Sequence, residues 1–160
     1  MDAAGTHLPV LRHLVGITTG PVLEMGMGDS STPILHDLCR DRLLVSLDNN
    51  SKWVEKYASF RSASHRIKSE PNWDDTSYLL DVLWDVVLID HAPVERRVVD
   101  IKRLMHNTKF MIVHDTECPI YGYEPVLSQF RYRWEFQELW PHTTVVSMTS
   151  PIPEKACYGV

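Results

Sequence analysis

The sequence has few cysteines, no excess of basic residues and no long apolar run. Its three cysteines, Cys39, Cys118 and Cys157, are scattered over 160 residues and form neither a disulfide framework nor a C-x-x-C metal pair. This usage is typical of a reducing compartment, and we expect a cytoplasmic protein. The N-terminal residues, Asp2 among them, lack the basic and apolar regions of a secretory signal.

The composition disfavours two classes of partner. The formal net charge of −5 argues against a nucleic-acid backbone as partner. No apolar run is long enough to span a bilayer, so we expect no membrane partner either. The length of 160 residues suits one domain with its own hydrophobic core, and we assign residues 1–160 to it.

Short apolar runs alternate with helical patterns along the chain. Such runs are typical of parallel strands that are buried on both faces, and they predict an α/β fold. The predicted strands are 21–26, 43–48, 65–69, 84–90, 110–113, 132–136 and 143–148. The predicted helices are 7–15, 32–40, 52–60 and 94–104.

A turn with two glycines follows the first predicted strand, in the stretch VLEMGMGDSS over residues 22–31. Gly26 and Gly28 allow the backbone to come close to a ligand where a side chain would clash. Glu24 stands at the strand end, and we expect its carboxylate to face whatever occupies the turn. Thr32 is the predicted N-cap of the next helix, with a proline at the first helical position.

Two phosphate-binding motifs fit this turn poorly. A dinucleotide fingerprint, G-x-G-x-x-G, needs a third Gly or Ala where Ser31 stands. Asp29 would also place a negative charge near a pyrophosphate. A Walker loop is excluded because no G-K-[ST] follows. The turn therefore favours a nucleoside ligand without phosphates.

Asp48 ends the second predicted strand, twenty positions after Gly28. In doubly wound nucleotide-binding sheets, an acid about 20 residues after the glycine turn accepts hydrogen bonds from ribose hydroxyls. A carboxylate suits this task because its two oxygens can accept both hydroxyl protons. The alternative is that residues 48–51 cap the next helix. Both roles are compatible if Asp48 binds the ribose and Asn50 or Ser51 is the cap.

The run Glu24-Met25-Gly26-Met27-Gly28 resembles the first motif of the class I S-adenosylmethionine (SAM)-dependent methyltransferases, an acidic residue followed by G-x-G. The resemblance covers nearly all of the chain. It implies a single-domain Rossmann-like fold, a mostly parallel sheet closed by a C-terminal antiparallel strand pair, and SAM as cofactor. The cofactor-binding residues that it implies are Glu24, Gly26, Gly28, Ser30, Ser31, Asp48, Asn49, Trp73, Asp90 and His91.

Trp73 lies in the predicted loop 70–75, after the third strand. In the SAM-dependent family this loop borders the adenine, so the resemblance makes Trp73 a candidate stacking wall. The alternative is that its ring packs on the sheet edge. Two other patterns are interpreted as structural. An aromatic stripe on helix 52–60, which includes Trp53, is interpreted as core, and a set of basic residues is interpreted as the solvated face of helix 94–104: Arg96, Arg97, Lys102 and Arg103.

The ends of the fourth and fifth strands resemble the catechol-type O-methyltransferases in particular. Asp90-His91 fits the Asp-His that ends their fourth strand, and Asp115-Thr116 stands where they have an acidic residue and Asn. In that family an Asp pair and the Asn hold a magnesium ion that binds two neighbouring substrate oxygens. The resemblance therefore implies Mg²⁺ on Asp90, Asp115 and Thr116, a set of oxygen ligands that suits a hard cation.

Three departures from that family concern the metal and the base. Thr116 is a poorer ligand than Asn. Ala92-Pro93 replaces the lysine that serves as general base shortly after Asp-His. The extra N-terminal helices of the family are largely missing. The SAM site is therefore the part of the resemblance that transfers best.

Two histidines are candidates for the missing base, His91 and His114. A histidine with a pKa of about 6.5 takes a proton from a substrate hydroxyl at neutral pH. With Asp115, these two histidines form the predicted catalytic set. The alternative is that His91 contacts the adenine and that His114 orients Asp115.

The predicted function is SAM-dependent methyl transfer to a hydroxyl oxygen of a small molecule. We expect the acceptor pocket to come from the short loops 70–78, 91–95 and 115–125, the last of which carries Tyr121 and Tyr123. Two alternatives stay open: a SAM-binding enzyme of the aminopropyl-transfer or lyase type, and a non-catalytic binding module. The sequence does not determine the oligomeric state.

Overall fold

One seven-stranded sheet runs through the protein, with helices on both of its faces. A computed structural model describes residues 5–153. The strands are β1 Val22–Met25, β2 Leu44–Asp48, β3 His65–Ser69, β4 Trp84–Ile89, β5 Thr108–His114, β6 Tyr132–Phe136 and β7 Thr143–Ser147. The helices are α1 Leu8–Gly16, α2 Ser31–Leu38, α3 Ser51–Lys56, α4 Val94–Leu104 and α5 Glu124–Leu127.

The strand order is β3-β2-β1-β4-β5-β7-β6. The first five strands pair in parallel, whereas β7 runs antiparallel to β5 and to β6. The predicted α/β fold, mostly parallel and closed by a C-terminal antiparallel pair, is confirmed. Because the strand order reverses between β1 and β4, the carboxyl ends of these two strands border the crevice where such sheets bind ligands.

The central strands are apolar on both faces because helices cover both sides of the sheet. On one face Val22 of β1 packs in a cluster with α1 and α2, which contribute Leu11, Leu14 and Leu35. On the other face Leu23 belongs to the cluster that contains the buried side of α4. All four residues of β1 are buried, so the glycine turn is attached to a strand that the core covers along its whole length.

The predicted end of α3 and the predicted N-cap of α2 are wrong. Helix α3 ends at Lys56, and a 3₁₀ turn, Ala58–Phe60, follows where the helix was expected to continue. Helix α2 begins at Ser31, so Thr32 lies inside the helix and is not its N-cap. The Thr32 hydroxyl instead accepts a hydrogen bond from the Gly28 N–H at 3.0 Å. The predicted cap of α3 is confirmed, because the Asn50 side chain accepts from the Lys52 N–H at 3.1 Å.

Within residues 5–153, no helix is both long enough and apolar enough to cross a membrane. Cys39 and Cys118 are free thiols. The third cysteine, Cys157, lies outside the described residues, as does Asp2.

Candidate functional site

A pocket of about 280 Å³ lies at the carboxyl ends of β1 and β4. We call it the glycine-turn pocket. Its lining includes Gly28, Ser30 and Ser31 from the turn, Trp53 from α3, and also His7 and Asp90. The sheet topology thus brings the predicted glycine turn and the predicted Asp90 to one concave surface.

The two glycines of the turn differ in what a side chain would meet at each position. Gly26 has a φ of 96°, and a Cβ there would lie 2.5 Å from the Asp90 carbonyl carbon. The turn therefore passes against the end of β4 too closely for any side chain. A Cβ on Gly28 would meet no described atom within 4 Å. The space in front of Gly28 belongs to the pocket.

Glu24 supports the turn from beneath. Its side chain is fully buried, and its Oε1 accepts hydrogen bonds from the hydroxyls of Ser31 at 2.5 Å and Thr32 at 2.9 Å. Burial, which these hydroxyls only partly offset, raises the pKa of Glu24 to about 7. Glu24 does not line the pocket, which corrects the expectation that its carboxylate faces the occupant of the turn.

The raised pKa makes the folding stability depend on pH. Because the folded pKa of about 7 lies above the ordinary 4.5, the contribution of Glu24 is fully present below pH 4.5 and is lost as pH rises to about 7. The difference corresponds to roughly 3 kcal/mol. We expect Glu24→Gln, which keeps the acceptor oxygen, to abolish most of this loss. Urea unfolding of both proteins at pH 4.5 and 7.5 measures it, and equal pH dependence in the two would contradict the assignment.

Asp48 joins the end of β2 to the glycine turn. It is largely buried; its Oδ2 accepts from the Met27 N–H at 2.8 Å and its Oδ1 from the Asn50 N–H at 2.7 Å. Burial raises the pKa of Asp48 in spite of these bonds. Each carboxylate oxygen keeps a second lone pair for a further donor. Asn49, next to it, is half-buried at the same strand end.

Trp73 and His91 pack on each other in the interior. Their ring centroids lie 4.4 Å apart, and the Trp73 Nε1 donates to the Ala92 carbonyl at 2.8 Å. His91 is 1% exposed, and its Nε2 lies 3.1 Å from the Asp100 carboxylate. Burial lowers the pKa of His91. Neither side chain lines the glycine-turn pocket, and packing, the alternative expected for Trp73, is what the structure shows.

Arg97 corrects the prediction of a solvated basic face on α4. It is only 7% exposed, and its guanidinium lies 3.1 Å from Asp90 Oδ1 and 3.1 Å from Asp115 Oδ2. It also donates to the main-chain carbonyls of His91 at 2.6 Å and of Asp90 at 3.0 Å. Arg97 therefore fastens the ends of β4 and β5 to each other.

Two further arginines of α4 are also partly buried. Arg96 and Arg103 both donate to the buried carboxylate of Asp100, at 2.9 Å in each case. Of the four basic residues expected on the solvated face, Lys102 is the exposed one. The charge on this helix thus serves mainly to neutralise buried acids.

The predicted magnesium ligands do not fit the ion in this arrangement. Two nearby carboxylates, Asp90 and Asp115, were expected to need a cation between them, and the Arg97 guanidinium supplies it. The third predicted ligand, the Thr116 hydroxyl, already accepts a hydrogen bond from the Thr144 hydroxyl at 2.8 Å.

The backbone of Asp115 has a φ of 60°, which is an unusual conformation for a residue with a side chain.

His114 lies beside the same acids. Its Nδ1 is 3.2 Å from Asp90 Oδ1 and 3.3 Å from Asp115 Oδ1, and its Nε2 is 2.9 Å from Thr6 Oγ1. Burial lowers the pKa of His114, but the bond to Asp90 and the two negative charges outweigh burial and raise it. The imidazole is therefore held in one orientation between the acid pair and Thr6.

His7 is a site residue that the sequence did not reveal. Its ring lies edge-on to the His114 ring, with centroids 4.8 Å apart, and it is 1% exposed. Burial lowers the pKa of His7 to about 4, so the ring is neutral at pH 7. Neither ring nitrogen has a hydrogen-bond partner among residues 5–153. Nothing in the sequence around His7, a single histidine before an amphipathic helix, predicts that it lies beside His114.

Trp53 is the second residue that was missed. The pattern of helix 52–60 placed it in the core, but it is half-buried and lines the glycine-turn pocket. Its ring stacks on Tyr57 at 6.3 Å between centroids. The Tyr57 hydroxyl and the Lys56 ammonium both donate to Asp29, which lowers the pKa of that acid. These contacts join α3 to the turn.

The predicted acceptor loop 115–125 borders a second pocket of about 400 Å³. Thr116, Cys118, Tyr123, Pro125 and Arg133 are part of its lining. The ring of Tyr121 meets Tyr123 edge-on, with centroids 5.9 Å apart. The pocket begins one residue after Asp115.

No protein-family model matches this sequence, and no curated protein matches it either. Solved structures resemble it in fold. The O-methyltransferase TomG from Streptomyces achromogenes, in complex with SAM, is 16% identical with a TM-score of 0.67, over 92% of this chain and 80% of that one. Cofactor-bound Rv0187 from MTB is 17% identical with a TM-score of 0.69, over 92% and 80%.

The fold is that of the class I methyltransferases. The methyltransferase domain of METTL16 has the same fold at 12% identity, with a TM-score of 0.63, over 91% of this chain and 84% of that one. The resemblance inferred from the acidic-x-G-x-G motif is thus confirmed at the level of fold. Similar structures include O-methyltransferases and RNA methyltransferases, and at these identities the likeness shows the methyltransferase fold alone.

Proposed function

We propose that the chain binds SAM in the glycine-turn pocket and transfers its methyl group to a hydroxyl oxygen of a small molecule. The observation that carries the proposal is the open space in front of Gly28, at the carboxyl ends of β1 and β4 in a methyltransferase fold. A backbone without side chain lets a ligand approach the turn closely. Ligands of open α/β sheets bind at such strand ends.

Different residues around the pocket would contact different parts of SAM. Gly28 permits a close approach to the turn, Ser30 contributes a hydroxyl group and Trp53 an aromatic surface, whereas the Ser31 hydroxyl already donates to Glu24. Asp48 does not line the pocket itself, but it accepts from the N–H of Met27, which does. In this proposal the remaining lone pairs of Asp48 accept from the ribose hydroxyls. SAM supplies an activated methyl group, so the protein has to align the acceptor and take up its proton.

The base in this proposal is His114. Its ring is held by Asp90 and Asp115, and Asp90 also lines the glycine-turn pocket. The orientation of an imidazole by a carboxylate is what a general base requires. His91 is disfavoured because its Nε2 faces Asp100 and its ring is covered by Trp73.

A small acceptor is favoured over a nucleic acid by charge. The net charge of −5 repels a phosphate backbone. The pocket of about 400 Å³ beside Asp115 has a size that suits a small molecule. Among the similar structures, the METTL16 catalytic domain was solved in complex with an RNA hairpin, and a Streptococcus thermophilus protein is an rRNA methylase. An assay of the methylated products should therefore compare RNA with small hydroxyl-bearing acceptors.

The cofactor part of the proposal is tested by calorimetry with SAM and S-adenosylhomocysteine. We expect the wild type to bind both, and Asp48→Asn to weaken SAM binding by about 1.5–3 kcal/mol, because an amide cannot accept both ribose protons. That loss is roughly 10- to 100-fold in Kd. Asp41→Asn is the matched control, because Asp41 is exposed just before β2.

Each result that would contradict the proposed function points to a particular alternative. No SAM binding by folded wild type would end the proposal, and binding of NAD in place of SAM would favour the dinucleotide alternative. Analysis of the products separates the others. Transfer of an aminopropyl group or cleavage of SAM would indicate the non-methylating class, and binding without turnover of any hydroxyl-bearing or RNA acceptor would indicate a binding module.

A further inference from the structure

Two imidazoles and a carboxylate meet at the edge of the glycine-turn pocket. His7, Asp90 and His114 each offer one ligand atom, and these atoms all lie within 4.8 Å of one another. Three separate parts of the chain supply them: the segment before α1, the end of β4 and the end of β5. Two ligand atoms that are each about 2.1 Å from one ion are at most about 4.2 Å apart, so a pair at the 4.8 Å limit has to close by roughly half an ångström or more.

The buried ring of His7, which lacks hydrogen-bond partners, is the feature that points to a ligand. It is 1% exposed, and neither of its nitrogens has a hydrogen-bond partner among the described residues. Leaving a buried polar group without a partner costs about 1–3 kcal/mol. Both His7 and Asp90 line the glycine-turn pocket, so the unsatisfied ring lies beside a space that a ligand can enter.

We propose that His7, Asp90 and His114 bind a divalent first-row transition-metal ion at the edge of the glycine-turn pocket. Imidazole is a ligand of Zn²⁺, Fe²⁺ and Ni²⁺, whereas Mg²⁺ prefers oxygen ligands. Two histidines and one carboxylate on one side of an ion leave its other positions open. The ion is thus of a different class from the magnesium predicted on Asp90, Asp115 and Thr116.

The surroundings of the three residues are compatible with an ion. Every hydrogen bond and ion pair of the Asp90 carboxylate in the described chain ends on Oδ1, which leaves Oδ2 available. Whichever nitrogen of His114 binds the ion, the other keeps an orienting partner, either Thr6 at 2.9 Å or Asp115 at 3.3 Å. Such partners are usual for metal-bound histidine.

The charges also allow an ion. The two acids and Arg97 together carry one negative charge, which a divalent ion with one bound oxyanion would balance. An acceptor hydroxyl that binds the ion from the pocket would lose its proton more easily. In the metal-bound protein His114 is therefore a ligand and not the base, and the ion activates the hydroxyl in its place. This role toward the acceptor rests on the proposed function, whereas the binding of the ion does not.

Metal uptake by untagged full-length protein tests the proposal without SAM. After equilibration with Zn²⁺ or Co²⁺ and removal of excess metal, we expect one ion per chain by elemental analysis, and a visible Co²⁺ spectrum. His7→Leu should weaken the affinity roughly 100-fold or more, because it removes a ligand. His106→Leu is the matched control, since His106 is an exposed histidine just after α4. It should bind as the wild type does.

The folding of the variant gives a second measurement. Because His7 makes no hydrogen bond in the described chain, His7→Leu should unfold in metal-free buffer at the same or a higher temperature than the wild type. Added Zn²⁺ should raise the unfolding temperature of the wild type but not that of His7→Leu.

Two results would overturn the proposal: no uptake of Zn²⁺ or Co²⁺ by the wild type, or equal uptake by the wild type and His7→Leu. Binding of Mg²⁺ as tightly as Zn²⁺ would overturn the metal class. Calorimetry with SAM on the metal-free protein is separate. Absence of SAM binding by both the metal-free and the metal-loaded protein would refute the proposed function and leave the metal result standing.

Discussion

Gly28→Val is expected to abolish SAM binding and leave the fold intact. A Cβ on Gly28 meets no described atom within 4 Å, and its φ is not in the left-handed region, so the folded chain accommodates a side chain. That side chain projects into the glycine-turn pocket, which Gly28 lines. We expect SAM affinity to fall at least roughly 100-fold, because the ligand would have to occupy the same space. Calorimetry measures the affinity, and urea unfolding measures the fold.

Gly26→Ala is the matched comparison, with the opposite outcome. Its Cβ would lie 2.5 Å from the Asp90 carbonyl carbon, and its φ of 96° suits glycine. We expect the unfolding free energy to fall by roughly 3 kcal/mol or more. The unfolding free energy of Gly28→Val should stay within about 1 kcal/mol of the wild type. Normal SAM binding by Gly28→Val would show that the cofactor lies elsewhere.

Arg97→Ala is expected to be among the most destabilising single changes in the protein. It removes the guanidinium that neutralises Asp90 and Asp115, both only about a quarter exposed at the side chain. Removing one partner of a buried ion pair leaves uncompensated charge and costs about 3–5 kcal/mol, and the partial exposure of the acids favours the lower figure. The same change leaves the main-chain carbonyls of Asp90 and His91 without this donor.

Two further variants of α4 serve as controls for Arg97→Ala. Lys102→Ala, on the exposed side of the helix, should change the unfolding free energy by less than about 0.5 kcal/mol. Arg97→Lys keeps the charge but loses the planar fork that reaches both acids, so we expect an intermediate loss. Urea unfolding measures all three. An Arg97→Ala protein as stable as Lys102→Ala would mean that the acid pair is neutralised by another group.

The sequence by itself determined the fold class and the position of the candidate cofactor site. Short apolar runs such as 84–90 are typical of strands that are covered on both faces, and their alternation with helical patterns predicted the α/β architecture. The places of Gly26, Gly28 and Asp48 at the ends of the first two strands could be predicted for a similar reason. Their chemistry is local, because a turn that needs glycine and an acid at a strand end are visible within a few residues.

Tertiary structure decided which charges are buried and which histidines meet. The spacing along α4 could not distinguish Arg97 from Lys102, because that distinction depends on Asp115, eighteen residues further along the chain. His7 reaches His114 across 107 residues, and only the packing of the first segment against the ends of β4 and β5 brings the two rings together. Long-range side-chain pairing leaves no periodic trace in a sequence, because a residue's local pattern does not depend on what it meets in the fold.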